Sequence, residues 1–169
     1  MDELPTDTSQ SAGLVAGTLR LNALQRDVLA APLAAFAAAA REPMARAAWQ
    51  DLTAAVAAME VSEPLLERLS AVVEATLASG RARREAGPGG ELALRALFVK
   101  TPRGRAAADS VVALNAALAA LDGQPLKAAG ATLRGPGAYA ITLETSRLRL
   151  VIGFGSSGAQ IESAEIEAG

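Results

Sequence analysis

Apolar residues recur every three or four positions from Leu14 to about Leu121, the spacing of amphipathic helices. Pro32 interrupts the first helical stretch, whereas Pro43 suits the first turn of the next helix, where its missing N–H costs nothing. Ser62 is placed to cap a third helix that Gly80 would end. The apolar positions predicted to pack together on these helices are Leu21, Leu24, Val28, Trp49, Leu52, Val56, Met59, Leu65, Leu66, Leu69, Val72, Val73, Leu77, Val111, Leu114, Leu118 and Leu121.

The clearest interruption of this pattern is residues 80–90, GRARREAGPGG. Glycine and proline mark loops, so we predict a Gly/Arg-rich loop here. A short helix from Glu91 to Val99 and a long helix from Thr101-Pro102 to Asp122-Gly123 would follow, forming a helical hairpin. The polar residues 1–12 predict a flexible tail.

After Gly130 the hydrophobic period changes from 3.6 to 2, which indicates β-strands. A hairpin folded about Thr145-Ser146 would pair Leu143 with Leu148, Ile141 with Leu150 and Tyr139 with Ile152, and would set Glu144 opposite Arg147. Both faces of the hairpin are then consistent, which a slip of one residue would destroy.

A third strand, residues 160–167, is predicted after the GSSG turn. One register places Ile166 by Leu148 and Ala164 by Leu150, with Glu165 and Glu167 facing Arg149 and Arg147. The same register leaves Glu162 beside Ile152. Residues 131–134 add a possible fourth strand.

The predicted fold class is therefore α+β. An N-terminal Ala-rich bundle of four to five helices precedes a C-terminal antiparallel meander of three to four strands. The expected segments are the tail 1–12, helices over 13–79, the loop 80–90, the helical continuation 91–123 and the meander 131–169 packed on the helices, in one domain overall.

Composition excludes several kinds of chemistry. The chain contains neither cysteine nor histidine, so it has no disulfide framework, thiol nucleophile, zinc finger, haem ligand or Ser-His-Asp triad. Sixteen basic and eighteen acidic residues give a net charge of −2, which provides no overall attraction to nucleic acid or anionic lipid. The apolar run 28–40 is too short to span a bilayer, and we expect a cytoplasmic protein with no membrane partner.

One motif matches a nucleotide-binding pattern. Gly153, Gly155 and Gly158 have the spacing G-x-G-x-x-G directly after a predicted strand. Dinucleotide binding needs a helix next and a second parallel strand, and too few residues follow. We interpret the glycines as a hairpin turn and expect no cofactor.

Two basic clusters flank the short helix and are candidate anion contacts. No aromatic residues for base stacking lie among them, and solvated surface charge is the simpler interpretation. The clusters consist of Arg81, Arg83 and Arg84, and of Lys100, Arg103 and Arg105.

Other candidate catalytic groups are weak. Glu63 and Glu67 lie one helical turn apart but have no third ligand for a metal. Ser110 and Ser156-Ser157 have no evident base. The bulky side chains at apolar positions are more typical of a core than of a cofactor site; they are Phe36, Trp49, Met59, Phe98 and Tyr139. No catalytic or metal residue is therefore assigned.

These observations favour a non-catalytic protein-interaction or assembly protein, with an adaptor, structural or chaperone-like role, that binds a protein partner or a second copy of itself. Its third strand would present the partner edge, formed by Ile161, Glu162, Glu165, Ile166 and Glu167. One alternative is a small-molecule-binding domain or His-free enzyme with a pocket between helices and a curved sheet. Another is a weak nucleic-acid or phosphate binder that uses the two basic clusters.

Overall fold

The computed structural model describes residues 17–155 and 158–166. Five helices precede a four-stranded antiparallel sheet, and a small two-stranded sheet lies among the helices, so the predicted α+β class is confirmed. The predicted tail 1–12, Ser156-Ser157 and Glu167 fall outside the described residues. The elements are β1 Thr18–Arg20, α1 Ala23–Ala39, α2 Pro43–Ala57, β2 Glu60–Ser62, α3 Glu63–Ala78, α4 Arg81–Phe98, α5 Pro102–Ala119, β3 Ala128–Gly135, β4 Ala138–Glu144, β5 Leu148–Gly155 and β6 Gly158–Ile166.

The chain forms two compact units, which divide between Arg103 and Gly104. The first unit contains helices α1 to α4 and the small sheet. Pro43 lies in the first turn of α2 and Gly80 follows α3 with a φ of 67°, as predicted, and Ser62 stands at the N-cap of α3 but its side chain makes no capping hydrogen bond. Asn22, which was not predicted as a cap, makes a capping box with Gln25. The predicted interruption at Pro32 is wrong, because α1 continues through this residue, whose side chain is buried.

The core of this unit consists of leucine and valine side chains, most of them on the predicted helix faces. Trp49, Met59, Leu65, Leu77 and Phe98 pack against it and remain partly exposed. Its buried members are Leu19, Leu21, Leu29, Leu33, Leu52, Val56, Val61, Leu66, Leu69, Val72, Val73, Ala82, Leu94 and Leu97.

The small sheet was not predicted. Strands β1 and β2 pair antiparallel, with Leu19 opposite Val61, and both of these side chains are buried. Met59 has a φ of 60° just before β2, and its carbonyl accepts a 2.9 Å hydrogen bond from the Leu21 N–H. Two strands of three residues are too short to show a period of two, so the helical pattern around them conceals both.

The break predicted at 80–90 is shorter than expected, because α4 begins at Arg81 and consists of two helical stretches that meet at a kink. A single residue, Gly87, leaves the helical conformation with φ 68° and ψ −172°, and such a φ suits glycine. Gly90 is buried, and a Cβ there would collide with the Cβ of Ala86 and approach Val28 Cγ2 to 3.2 Å. Gly90 therefore permits close packing inside a helix rather than a flexible loop.

In the second unit the strand order is β3-β4-β5-β6, so β3 and β6 are the two edges. The predicted hairpin between β4 and β5 exists, but its register differs by two residues. Leu143 lies opposite Leu150, Ile141 opposite Ile152, Tyr139 opposite Phe154 and Glu144 opposite Arg149. A shift of two residues keeps every side chain on its predicted face.

The turn of this hairpin explains the different register. The Thr145 N–H donates to the Leu148 carbonyl at 2.9 Å, so the turn is centred on Ser146 and Arg147 rather than on Thr145 and Ser146. The buried Thr145 hydroxyl accepts from the N–H groups of Arg147 at 3.2 Å and of Leu148 at 2.9 Å. Thr145 therefore ends the ladder between β4 and β5 through its hydrogen bonds with the Leu148 backbone.

The predicted pairing of β5 with β6 is confirmed where β6 approaches its end. Ile166 lies opposite Leu148, Ala164 opposite Leu150 and Glu165 opposite Arg149. A bulge then places Ile161, not Glu162, opposite Ile152. The bulge removes the predicted mismatch of a carboxylate beside an isoleucine, since the extra residue turns Glu162 to the other face. The possible strand at 131–134 also exists, as the longer β3.

Candidate functional site

The edge strand β3 is exposed along almost its whole length, from Ala128 to Arg134. Among the described residues its inner edge pairs with β4 and its outer edge pairs with no strand. Residues 128–133, AAGATL, carry no charge, while Lys127 and Arg134 stand at the two ends. An edge without charges or proline presents its backbone N–H and C=O groups to any strand that approaches.

The apolar face of the sheet reaches this edge. The ladders place Ala129, Ala131 and Leu133 on the same face as Leu143, Ile141 and Tyr139 of β4. The Leu133 side chain is 78% exposed. Its neighbour Tyr139 is 47% exposed and stacks on Phe154 with ring centroids 5.4 Å apart. The placement of Tyr139 differs from its prediction as a core residue. A further strand on β3 would therefore extend an apolar face as well as a backbone ladder.

Strand β6 is the edge that was predicted to receive a partner, and it carries protective features. Glu162 sits in the bulge and Glu165 faces Arg149, with a 3.9 Å ion pair. Bulges and charged side chains both discourage pairing at a sheet edge. Ile161 is half-buried and Ile166 is 81% exposed. Partner binding along β6 remains a prediction, and β3 is the less protected edge.

Arg134 and Glu162 connect the two edges over the opposite face of the sheet. Their ion pair measures 3.1 Å, with side chains 54% and 42% exposed. The Glu162 carboxylate lies over Gly153, where a Cβ would be too close to its Cδ at 2.9 Å. A side chain at residue 153 would therefore displace the Glu162 carboxylate from its present position. Strand β6 begins at Gly158 where a nucleotide site needs a helix, so the G-x-G-x-x-G pattern belongs to a β-hairpin.

The first basic cluster is largely neutralised within the first unit. Arg81 pairs with Glu85 at 2.6 Å and Arg83 with Glu91 at 3.5 Å. Arg84 donates to the Ser79 carbonyl at 2.8 Å, at the end of α3. These arginines therefore serve α4 itself, and the geometry does not assemble them around one anion.

The second cluster is divided by its contacts. Arg103, the last residue of the first unit, donates to Glu67 at 2.6 Å and to Glu74 at 2.9 Å, and so bridges two carboxylates of α3. The hydrogen bond to Glu74, and to a smaller extent the hydrogen bond to Glu67, raise the pKa of Arg103 above its usual value. Lys100 and Arg105 make no ion pair within the described residues.

The carboxylates of Glu63 and Glu67 have separate roles. Glu67 binds Arg103, while Glu63 lies in the first turn of α3, where a negative charge stabilises the helix dipole. The Ser110 hydroxyl donates to the Ala106 carbonyl of its own helix at 2.9 Å. In the part of the chain that the structure describes, no group of acidic side chains has the arrangement of a metal site.

The aromatic side chains of the first unit form a packed group. Phe36 and Trp49 stack at 5.0 Å, and the Arg68 guanidinium lies 5.4 Å from the centre of the Trp49 ring. This cation–π arrangement joins α1, α2 and α3 and leaves no slot between the rings.

A groove of about 430 Å³ lies elsewhere on the first unit. It is open to solvent, and its lining combines apolar side chains with two carboxylates, those of Asp27 and Glu85. Each carboxylate already has an arginine partner, Arg26 at 2.8 Å and Arg81 at 2.6 Å respectively. The lining residues are Leu24, Asp27, Val28, Ala31, Thr76, Ala82, Glu85 and Ala86.

Helix α5 differs from its prediction as a core helix. Val111 is 52% and Val112 is 67% exposed, and Leu118 is also exposed. Asp109 is the only charged residue between Arg105 and Asp122. The second unit therefore has apolar surface on its helix as well as at its β3 edge.

Within residues 17–155 and 158–166, no helix combines the length and the apolarity that crossing a bilayer requires. Comparisons of the chain with family models, with curated proteins and with solved structures find no match.

Proposed function

We propose that this protein is a non-catalytic association protein whose four-stranded sheet takes up a strand of another polypeptide along β3. The observation that carries the proposal is the exposed, uncharged run from Ala128 to Leu133 at a sheet edge. In β-strand addition, main-chain hydrogen bonds supply affinity and alternate side chains supply specificity. Here the alternate side chains Ala129, Ala131 and Leu133 favour an incoming strand with apolar residues on the same face.

A pair of proline variants tests this proposal, because successive residues of a strand direct their N–H groups to opposite edges. One of the two variants Ala131→Pro and Thr132→Pro removes an N–H that points to the open edge, and it leaves the hydrogen bonds to β4 intact. The other removes an N–H that bonds to β4, and it breaks the ladder. Proline is tolerated on an edge strand only in the first case. The melting temperature identifies the variant that keeps the fold, and this variant is carried forward.

The folded proline variant should lose association with partners that the unmodified chain binds, first in pull-downs and then with the purified partner. Ser163→Pro and Ala164→Pro on β6 form the matched control pair. The one with the higher melting temperature is used, and it should retain binding. Amide hydrogens of β3 should exchange more slowly in the complex than in the free protein. Unchanged binding by the β3 variant, together with unprotected β3 amides in the complex, would refute the proposal.

A second candidate function is small-molecule binding in the 430 Å³ groove, whose size is within the range of ligand sites. The combination of carboxylates and apolar side chains in the lining favours an apolar amine. Alkylamines should then raise the melting temperature of the unmodified chain, and Glu85→Gln should abolish that rise. Because Asp27 and Glu85 are already paired with arginines, the groove supports this function less well than the β3 edge supports association.

A further inference from the structure

We infer that the strand that β3 receives is β3 of a second copy of this chain, so that two sheets join across a two-fold axis into one of eight strands. This inference rests on the proposed function, since it requires that β3 accept a strand. It adds the identity of the partner, the register of the pairing and the point at which assembly stops.

The register follows from symmetry and from the residues of the strand. If the axis passes beside Ala131, then Ala131 faces its own copy, Gly130 faces Thr132 and Ala129 faces Leu133. Antiparallel partners share a face, so the exposed Leu133 of each copy would cover the partner's Ala129. Small residues at the centre let the two strands approach without steric conflict.

Charge permits this pairing. Residues 128–133 have no charge, so no like charges lie directly opposite one another between the two strands. In the register centred on Ala131, Arg134 faces Ala128 and Lys127 faces Gly135. The Arg134 charge is already compensated by Glu162 at 3.1 Å. An uncharged strand therefore pairs with its own copy without placing any charge opposite a like charge.

The other edge of the sheet explains why assembly would stop at two copies. An interface that pairs the same patch on both partners closes on itself, whereas pairing of β3 with β6 would continue from copy to copy. Strand β6 carries the bulge at Glu162 and the Glu165 carboxylate, two features that oppose pairing. The bulge of β3 lies at Arg134, beyond the uncharged run, whereas that of β6 interrupts the strand itself. The difference between the two edges therefore favours a closed dimer over a fibre.

Sedimentation equilibrium of the full chain is the first test. The unmodified protein should show a concentration-dependent mass that approaches twice 17.1 kDa. Ala131→Lys and Ala131→Glu, tested separately, should each weaken the dimer at least about fivefold, the factor equivalent to about 1 kcal/mol of repulsion between directly opposed like charges. An equimolar mixture of the two variants should restore the dimer, because unlike charges then face each other.

The matched control is Ala164→Lys, which adds the same charge to an exposed alanine on β6 and should leave the dimer unchanged.

Ala131→Cys provides a test that does not depend on repulsion. The chain has no cysteine, and Cβ atoms of directly opposed residues are about 4.5–5.5 Å apart, near the spacing of a disulfide. Mild oxidation should therefore link two copies through Ala131→Cys but not through Ala164→Cys.

Three results would overturn the inference. They are a monomer at every concentration tested, a dimer that persists unchanged in both charged variants, and charged variants whose mixture does not re-form the dimer. Masses that grow beyond two copies would contradict closure at β6. A monomeric chain whose β3 proline variant still loses a different partner would refute self-association while supporting the proposed function.

Discussion

The carboxylate of Glu162 occupies the space that a side chain at residue 153 would need, and it reaches Arg134 from that position. The two edges of the sheet are thereby joined over one face by a side-chain pair rather than by backbone. Gly153 is part of this arrangement, although its sequence context resembles a phosphate-binding loop.

Gly153→Ala should destabilise the sheet by about 1 kcal/mol, because the new Cβ displaces Glu162 and disrupts an exposed ion pair. In a Glu162→Ala background the same change should be neutral or slightly stabilising, since glycine within a strand is itself unfavourable. Urea denaturation of the two single variants and the double variant gives the coupling between the sites. Equal effects of Gly153→Ala in both backgrounds would contradict the role assigned to Glu162.

Thr145→Val should cost about 1–3 kcal/mol of unfolding free energy, because the N–H groups of Arg147 and Leu148 lose their buried acceptor. Thr145→Ser keeps the hydroxyl and should recover most of this loss. Thr53→Val is the control, since the Thr53 hydroxyl is exposed and bonds only within its own helix; it should cost less than about 0.5 kcal/mol. A loss from Thr145→Ser as large as that from Thr145→Val would assign the effect to shape rather than to hydrogen bonding.

Leu150→Ala should destabilise by about 2–4 kcal/mol, because the Leu150 side chain is fully buried and its removal leaves a cavity. Arg149→Ala, on the opposite face of the same strand, should cost less than about 1 kcal/mol, since its ion pair with Glu165 is long and exposed. The midpoints of chemical denaturation compare the two variants directly. Similar losses would mean that the two faces of β5 do not differ in burial as described.

Arg103→Ala should lower the unfolding free energy by up to about 1 kcal/mol, since its two carboxylate partners are partly exposed. Arg103→Lys should recover only part of this loss, because a lysine cannot present the planar fork that bridges Glu67 and Glu74. Because the pKa of Arg103 is higher in the folded protein than in the unfolded chain, its contribution to the unfolding free energy is fully present below the pKa that Arg103 has when unfolded. The contribution is lost only as the pH rises through the pKa that Arg103 has in the folded protein. The effect of Arg103→Ala should therefore be constant between about pH 6 and 9, where guanidinium groups are charged.

Val112→Ser on α5 should change stability by less than about 0.5 kcal/mol, because most of this side chain already faces solvent. Val72 in α3 is fully buried, so Val72→Ser should lower the unfolding free energy several times more, because it introduces a polar group and a cavity into the core. Thermal unfolding of the two variants makes the comparison. A large loss at Val112 would show that α5 is a core helix, as its sequence pattern predicts.

The hairpin shows how far the sequence predicts the sheet. Alternation of apolar and polar residues correctly identified which side chains share a face, but a period of two is unchanged when a strand slips by two residues. The register was decided by Thr145, whose hydroxyl and N–H bind the Leu148 backbone. A side-chain preference at one turn position carries too little sequence signal to distinguish Thr145-Ser146 from Ser146-Arg147 as the turn.

Helix α4 shows the opposite failure. Glycine and proline in residues 80–90 predict a break by their local preferences, and only Gly87 actually departs from the helix. Ala82 and Gly90, on either side of this kink, are buried, and Gly90 packs closely against Val28. Tertiary contacts of this kind override local preference and cannot be read from composition.

The candidate site was only partly predictable. The sequence indicated association and placed an edge at β6, which the strand order confirms as an edge. It did not distinguish β6 from β3, because the fourth strand was itself uncertain and the bulge at Glu162 has no simple sequence signature. The absence of charge between Lys127 and Arg134 was the available signal for β3, and it gains meaning only once the strand is known to lie at an edge.

The aromatic pairs divide the optical signals of the chain between its two units. Trp49, the only tryptophan, stacks on Phe36 in the first unit, and Tyr139, the only tyrosine, stacks on Phe154 in the second. Indole fluorescence therefore follows the unfolding of the first unit, and the near-ultraviolet tyrosine band follows that of the second. The unmodified protein thus contains its own pair of reporters, and the separation of their midpoints measures how strongly the two units are coupled in folding.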